Sequence, residues 1–435
     1  MKGSEVQGVV ATLLAEPSSP QGAPSLEEQY QRVRDTTVRL CAPLTPEDHV
    51  LQSMPDASPA KWHLAHTSWF FETFVLARLP GYRVFHPRYG YLFNSYYNAV
   101  GERHERPRRG LLSRPPLEEV HAYRRHVDGW MREWLGSGAG EAPEARAVAE
   151  LGLHHEQQHQ ELLLTDVKHA FGSQPLRPAY RQFPPPAAQP APALRWLTVP
   201  EGLRWIGHGG PGFAFDNEGP RHRAFVEGFQ LASRPVTCAE YLAFIADGGY
   251  LRPELWLSEG WDTCRAQGWQ APLYWESRDG AWWTYTLGGE REVHPAEPVC
   301  HVSFYEADAY ARWAGARLPT EQEWEVVAAQ APVEGNLLES ERFHPAPAPA
   351  AGSGAAQLFG DVWEWTRSPY APYPRYQPAQ GALGEYNGKF MCNQQVLRGG
   401  SCATPRSHLR ASYRNFFPPS ARWQFTGIRL ARDPS

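Results

Sequence analysis

His154-His155-Glu156-Gln157-Gln158-His159 is the stretch whose reading decides this chain. On a helix, His155 and His159 are four residues apart, so their imidazoles project from one side and can share a metal ion. A second cluster, Lys61-Trp62-His63-Leu64-Ala65-His66-Thr67, offers further ring nitrogens. A lone i, i+4 histidine pair is a common accident of a solvated helix. Joined by a second His-x-x-His on an apolar, tryptophan-rich segment, it points to a metal held between helices.

Working outward, the 3.6-residue period continues from about Glu144 to Phe171 and stops at Gly172. Upstream, Ser25 and Glu28 have capping-box spacing ahead of Leu26, Tyr30, Val33 and Leu40 on one face. A second helix is predicted with Ser58 as N-cap and Pro59 at its first position, running to Pro80-Gly81. A third runs from about Leu117 to Leu135, behind Arg114-Pro115-Pro116. Four such helices predict a bundle over residues 24–175, in whose centre facing helices can share a metal. Residues 176–193, with Phe183-Pro184-Pro185-Pro186-Ala187-Ala188, read as an extended linker. Over 194–433 the pattern changes to short strand-like pieces, turns and many tryptophans, with helices predicted near Cys238–Ala246 and Tyr305–Ala314. That is a loop-rich α+β domain. Pro345-Ala346-Pro347-Ala348-Pro349 reads as a surface loop.

With 435 residues and a net charge of −5, the chain has neither the basic footprint of a nucleic-acid binder nor an acidic tail. No run is long enough to span a membrane and the start lacks a secretory signal, so a soluble cytoplasmic protein is expected, without nucleic-acid or membrane partners. Six cysteines without C-x-x-C spacing predict reduced, mostly buried thiols. His155-Glu156-x-x-His159 also satisfies the zinc-protease pattern, with Glu156 as a base. That reading lacks its third ligand: no Asp or Glu occurs from Val167 to Pro200, and Leu162 and Thr165 hold the later Gly and His offsets.

Four ordered segments then bring in a resemblance. Arg317-Leu318-Pro319-Thr320-Glu321-Gln322-Glu323-Trp324-Glu325, Gly360-Asp361-Val362-Trp363-Glu364-Trp365-Thr366, Arg398-Gly399-Gly400-Ser401 and Gly427-Ile428-Arg429-Leu430 resemble the formylglycine-generating-enzyme fold, also called the sulfatase-modifying-factor or C-type-lectin-like fold. Most of these residues are read as scaffold. Thr404 and Leu409 stand at the offsets of that fold's copper-binding cysteines, which speaks against copper-dependent cysteine oxidation. The N-terminal part resembles DinB-like metal-binding four-helix bundles. A DinB-like bundle ahead of a formylglycine-enzyme-like domain is similar to the ergothioneine-type sulfoxide synthases, the EgtB family.

The resemblance implies a non-heme iron oxidoreductase with Fe(II) held by His66, His155 and His159 and O2 as cosubstrate. His63 and His154 then pack or support the ligands. Three neutral imidazoles leave coordination positions free, but the same ligands also suit zinc. Gln158 lies about sixty degrees around the helix from His155 and can look into the site; the resemblance implies contact with the substrate imidazole. From the loop Tyr91–Gly101 it implies proton donation by Tyr97, with Tyr96 beside it, because a phenol can hydrogen-bond reduced oxygen and release its proton. Arg103 and Arg106 offer forks for a substrate carboxylate. Near the C-terminus, Asn415, Phe416, Phe417, Trp423 and Gln424 combine aromatic faces for a quaternary ammonium with amides, which fits hercynine, the Nα-trimethylated histidine. Relatives using γ-glutamylcysteine carry an acidic residue where Phe417 stands, so L-cysteine is the expected thiol. The alternatives are an ovothiol- or selenoneine-type synthase, a zinc-dependent DinB-like thiol S-transferase, or a noncatalytic binding module.

Overall fold

The computed structural model describes residues 24–138, 142–185, 189–350, 352 and 354–434. Helix α1 (Leu26–Cys41) starts in the expected capping box, Ser25 accepting from Glu28 N and the Glu28 carboxylate accepting from Ser25 N. Then follow α2 (Ala60–Phe74), the single turn α3 (Tyr89–Leu92), α4 (Leu117–Gly136) and α5 (Pro143–Ser173). α2 begins one residue later than predicted and ends sooner. Ser58 does not cap it: the Ser58 hydroxyl accepts from Arg109 Nη1 at 2.9 Å. After Phe74 the chain passes through a 3-10 turn, Leu76–Arg78, before Pro80-Gly81.

α2 is the buried centre of the bundle, every residue from Ala60 to Phe74 except Thr73 being buried. α5 approaches it at Gly152, where an added Cβ would lie 2.6 Å from the Phe71 ring and 2.9 Å from Phe70. The other side of α5 is tied to α1 and α4 through Glu156, which meets Arg34 Nη1 at 2.8 Å, Arg124 Nη2 at 2.5 Å and Thr37 Oγ1 at 2.6 Å. The two guanidiniums outweigh burial and hold the Glu156 carboxyl down at about 2. Breaking such a pair leaves an uncompensated buried charge, which typically costs about 3–5 kcal/mol.

From Ser173 to Trp196 no helix or strand interrupts the described linker residues. The linker is nonetheless pinned: Tyr180 N donates to Leu287 O, and the Tyr180 hydroxyl to Leu40 O in the bundle. The second domain contains β1 (Trp196–Val199), β2 (Gly202–Ile206), β3 (His222–Val226), β4 (Phe229–Ala232), α6 (Cys238–Ala246), α7 (Ser258–Gln267), β5 (Trp275–Arg278), β6 (Ala281–Thr286), β7 (Gly289–Glu292), α8 (Phe304–Trp313), α9 (Glu321–Ala328), β8 (Trp363–Pro369), β9 (Gln395–Arg398), β10 (Asn415–Phe417), β11 (Thr426–Gly427) and β12 (Ala431–Arg432). They pair as four small sheets, in the orders β1-β4-β12, β10-β9-β8-β11, β2-β3 and β5-β6-β7. Helices α7 and α9 add to the two predicted ones. The Pro/Ala insert is not a free surface loop either, since Pro345 and Ala348 are buried.

The four segments that carried the resemblance form one ion-paired core. Glu364 accepts from Trp324 Nε1 at 2.7 Å and from Arg429 Nε at 2.8 Å, while Arg398 Nη2 reaches Glu321 at 2.8 Å and Glu325 at 3.0 Å. All six cysteines are free; Cys392 alone is exposed. Among the described residues, no helix is long and apolar enough to cross a membrane.

α5 joins the two domains. At about 100° per residue, Gln157, Gln158, Glu161 and Lys168 fall on one stripe, and that stripe meets the second domain. Gln157 Nε2 donates to Ser407 Oγ at 2.6 Å and Gln158 Nε2 to Tyr413 OH at 2.7 Å. Glu161 accepts from Trp363 Nε1 at 2.8 Å, Ser401 Oγ at 2.5 Å and Thr404 Oγ1 at 2.7 Å, and Lys168 Nζ lies 2.6 Å from His301 Nε2.

Candidate metal centre and adjoining cavity

His155 and His159 sit one turn apart on α5 and face His66 on α2. The three offer nitrogen atoms within 4.8 Å of one another, and all three residues are buried. His66 Nε2 and His155 Nε2 are 3.1 Å apart. His66 Nδ1–H donates to Phe93 O at 2.6 Å, which leaves the lone pair of its Nε2 free to ligate. The ring is fixed between Trp62, stacked at 4.4 Å, and Trp69, stacked at 5.4 Å. Burial drives His66 and His159 well below the usual histidine range and His155 down to about 3. Neutral rings are the form a metal needs. Three converging neutral lone pairs without a carboxylate among them fit a borderline divalent ion, iron and zinc alike.

Glu156 points away from these nitrogens, into its ion pairs with Arg34 and Arg124. A protease base would have to face the metal, so the zinc-protease reading ends here. His154 also leaves the centre: it stacks on Phe213 at 4.0 Å, with its Nδ1 3.0 Å from His408 Nδ1.

Beside the triad, two cavities share the walls Tyr96, Arg106, Gln158, Leu162, Tyr386 and Phe390. One, of about 200 Å³, runs toward the second domain and is lined by Asn415, Phe416, Phe417, Gln424, Trp363 and Tyr413. The other, of about 470 Å³, reaches His159 and His63 and is lined by Arg103 and Arg109. Of the residues singled out in the sequence, His159, Tyr96, Arg103, Arg106, Gln158, Asn415, Phe416, Phe417 and Gln424 therefore meet in this region. Trp423 stands outside the cavity walls, with its ring 6.0 Å from that of Phe417. Tyr97 is fully buried next to Trp69 and Phe74, and among the described residues its hydroxyl makes no hydrogen bond of ordinary length, with the Tyr96 phenol as its polar neighbour. Burial raises the Tyr97 phenol well above the usual range, so it is protonated.

Several wall residues escaped the sequence reading. Tyr386 comes from a second-domain loop and brings its ring within 5.9 Å of His155 and 5.8 Å of Tyr96. The same loop grips the tyrosine loop, Glu385 accepting from Ala99 N at 2.7 Å and Asn98 N at 3.1 Å, and Lys389 donating to Tyr96 O. The visible signal was aromatic residues set in a turn-rich run, Gly384-Glu385-Tyr386-Asn387-Gly388-Lys389-Phe390. Arg109 lies 3.3 Å over the Trp62 ring, and among the described residues it has no carboxylate within ion-pair distance and its buried Nε is unsatisfied.

Comparison with known proteins gives the same two parts. Residues 182–434 match the sulfatase-modifying factor enzyme 1-like domain and residues 29–163 match the DinB superfamily. The chain is 34% identical to the hercynine oxygenase of Mycolicibacterium smegmatis over 440 residues, covering 94% of this chain and 99% of that protein. It is 37% identical to the hercynine oxygenase of Mycobacterium tuberculosis over 65% of this chain and 70% of that protein. The formylglycine-generating enzyme of Bos taurus is 27% identical over 57% of this chain and 77% of its own length.

Proposed function

This chain belongs to the hercynine oxygenase family, and from that premise we propose that it is an Fe(II)- and O2-dependent sulfoxide synthase of ergothioneine biosynthesis, joining the sulfur of L-cysteine to C2 of the hercynine imidazole. The C2–H and S–H bonds are lost, a C–S and an S–O bond form, and dioxygen takes four electrons, its second oxygen leaving as water. The observation that carries this reading is a cluster of three neutral imidazoles whose His159 lines one cavity, which shares walls with a second cavity lined by aromatic rings and amides.

Iron(II) bound by His66, His155 and His159 would supply the redox chemistry that opens dioxygen to reaction with an organic substrate. The chain's own groups do the rest. Gln158 Nε2 is spent on Tyr413 OH, so Oε1 is left to accept from the substrate imidazole N–H. Asn415 Oδ1 accepts from Phe416 N at 2.9 Å, which leaves its amide N–H2 for the hercynine carboxylate. Both amide atoms of Gln424 are buried without partners, an expense that a polar ligand removes. The rings of Phe416 and Phe417 offer faces to the trimethylammonium. Arg103 and Arg106 face the cavity beside His159 and hold the cysteine carboxylate. Tyr97, with Tyr96 beside it at 4.9 Å between ring centres, delivers the proton.

The test is anaerobic Fe(II) reconstitution followed by an aerobic reaction with hercynine and cysteine, read by mass spectrometry. The expected product has the mass of both substrates plus one oxygen less two hydrogens. Oxidised cysteine alone, or a thioether without oxygen, contradicts the proposal. Full iron retention by His155→Ala removes the ligand assignment.

A further inference from the structure

The three histidines of the proposed site differ in what stands behind them. His66 is backed by the Phe93 carbonyl, and His155 Nδ1 is buried with no partner. His159 is backed by another imidazole: its Nδ1 lies 2.8 Å from His63 Nδ1, and His63 Nε2 lies 3.1 Å from Asp166 Oδ2.

A metal on His159 Nε2 requires the proton of that ring on Nδ1, and this chain of bonds can accommodate it there. A carboxylate only accepts, so His63 Nε2 carries the proton and donates to Asp166. With that proton on Nε2, His63 Nδ1 is placed, at 2.8 Å, to accept from His159 Nδ1–H. That leaves the lone pair of His159 on Nε2, the atom available to a metal. His63 is not a fourth ligand, because both of its nitrogens are already engaged.

The placement requires both helices. His159 and Asp166 are seven residues apart on α5, nearly two turns, and so share a face. The His63 ring enters between them from α2. Asp166 Oδ2 also accepts from Ser58 N at 2.8 Å, just ahead of α2. Asp166 is buried, and among the described residues its Oδ1 has no hydrogen-bond partner and its ion-pair partner is the His63 ring. A buried carboxylate this poorly compensated is costly for packing alone. A cation on the far side of His159 gives the charge a use, because a carboxylate-backed imidazole both orients the ligand and raises its basicity.

We propose that His63 and Asp166 form the positioning pair of His159, holding its ring and tautomer so that Nε2 faces the metal and thereby setting how tightly the ion is bound. The proposal rests on reading His66, His155 and His159 as a metal site.

Co(II) alone serves as the probe, with affinity measured against a chromophoric chelator and coordination read from its visible ligand-field bands. Wild type should bind Co(II) and His155→Ala should not; if wild type binds none, the metal reading fails and this proposal with it. Given binding by wild type, His63→Leu and Asp166→Ala should weaken it about 10- to 100-fold and move the bands. His63→Gln should restore most of the affinity, because an amide oxygen can accept from His159 while the amide N–H donates to Asp166. Binding by His63→Leu within about twofold of wild type with unchanged bands, or a Gln variant as weak as the Leu variant, overturns the proposal.

Discussion

Tyr97 brings a fully buried hydroxyl, with no hydrogen bond of ordinary length among the described residues and the Tyr96 phenol as its polar neighbour, next to Trp69, whose ring stacks on His66. Leaving such a group unsatisfied costs about 1–3 kcal/mol, which fits a donor kept for a reacting oxygen. Tyr97→Phe should therefore slow sulfoxide formation and divert oxygen toward oxidation of cysteine alone, as read from the ratio of the two products. An unchanged ratio would pass the role to Tyr96, which lines both cavities. At the same scale, Phe417 offers no charged partner to a glutamyl extension, and Glu161, the carboxylate in that cavity wall, is engaged by Trp363, Ser401 and Thr404. Cysteine should outperform γ-glutamylcysteine in kcat/KM, and hercynine should be preferred to histidine by about 1 kcal/mol or more. Equal turnover of γ-glutamylcysteine would show that another residue, Arg103 or Arg106, accommodates the extension.

Helix α5 is where one sequence pattern serves three surfaces: ligands toward α2, Glu156 toward α1 and α4, and the stripe from Gln157 to Lys168 toward the second domain. Lys168 makes that last contact sensitive to pH. Burial pulls its ammonium down to about 8 from the ordinary 10.5, with neutral His301 as acceptor. Between pH 8 and 10.5 the unfolded chain still holds the proton and the folded chain does not, so this residue makes stability rise with pH across that window. Below pH 8 both states carry the charge and its contribution levels off. Denaturant midpoints of wild type and Lys168→Met should differ in slope over that window, by up to about 3 kcal/mol in total; parallel curves would contradict it. The long helices α1, α4 and α5 were legible because periodicity and terminal signals lie within each segment. α9 was missed although Thr320 and Glu323 form a capping box, because eight residues leave little room for a period. The strands, as short as two residues at β11 and β12, exist through pairing with distant chain, which no local pattern reports.

At the scale of the whole molecule, the site is assembled from two domains. Spacing on α5 and a second His cluster pointed to the histidines that the structure gathers, and the resemblance selected His66 over His63. The cavity was readable only in part: Tyr386 and Trp363 arrive from loops and strands whose approach to the bundle is set by contacts such as Glu161 with Ser401 and Thr404. At this junction oxygen activation is proposed to be coupled to C–S bond formation. Running the reaction of the Fe(II)-reconstituted protein with hercynine and cysteine under 18O2 tests it most directly. The account predicts a sulfoxide carrying one 18O atom, with the other recovered in water. An unlabelled sulfoxide, or a cysteine–hercynine thioether formed without oxygen, would contradict it.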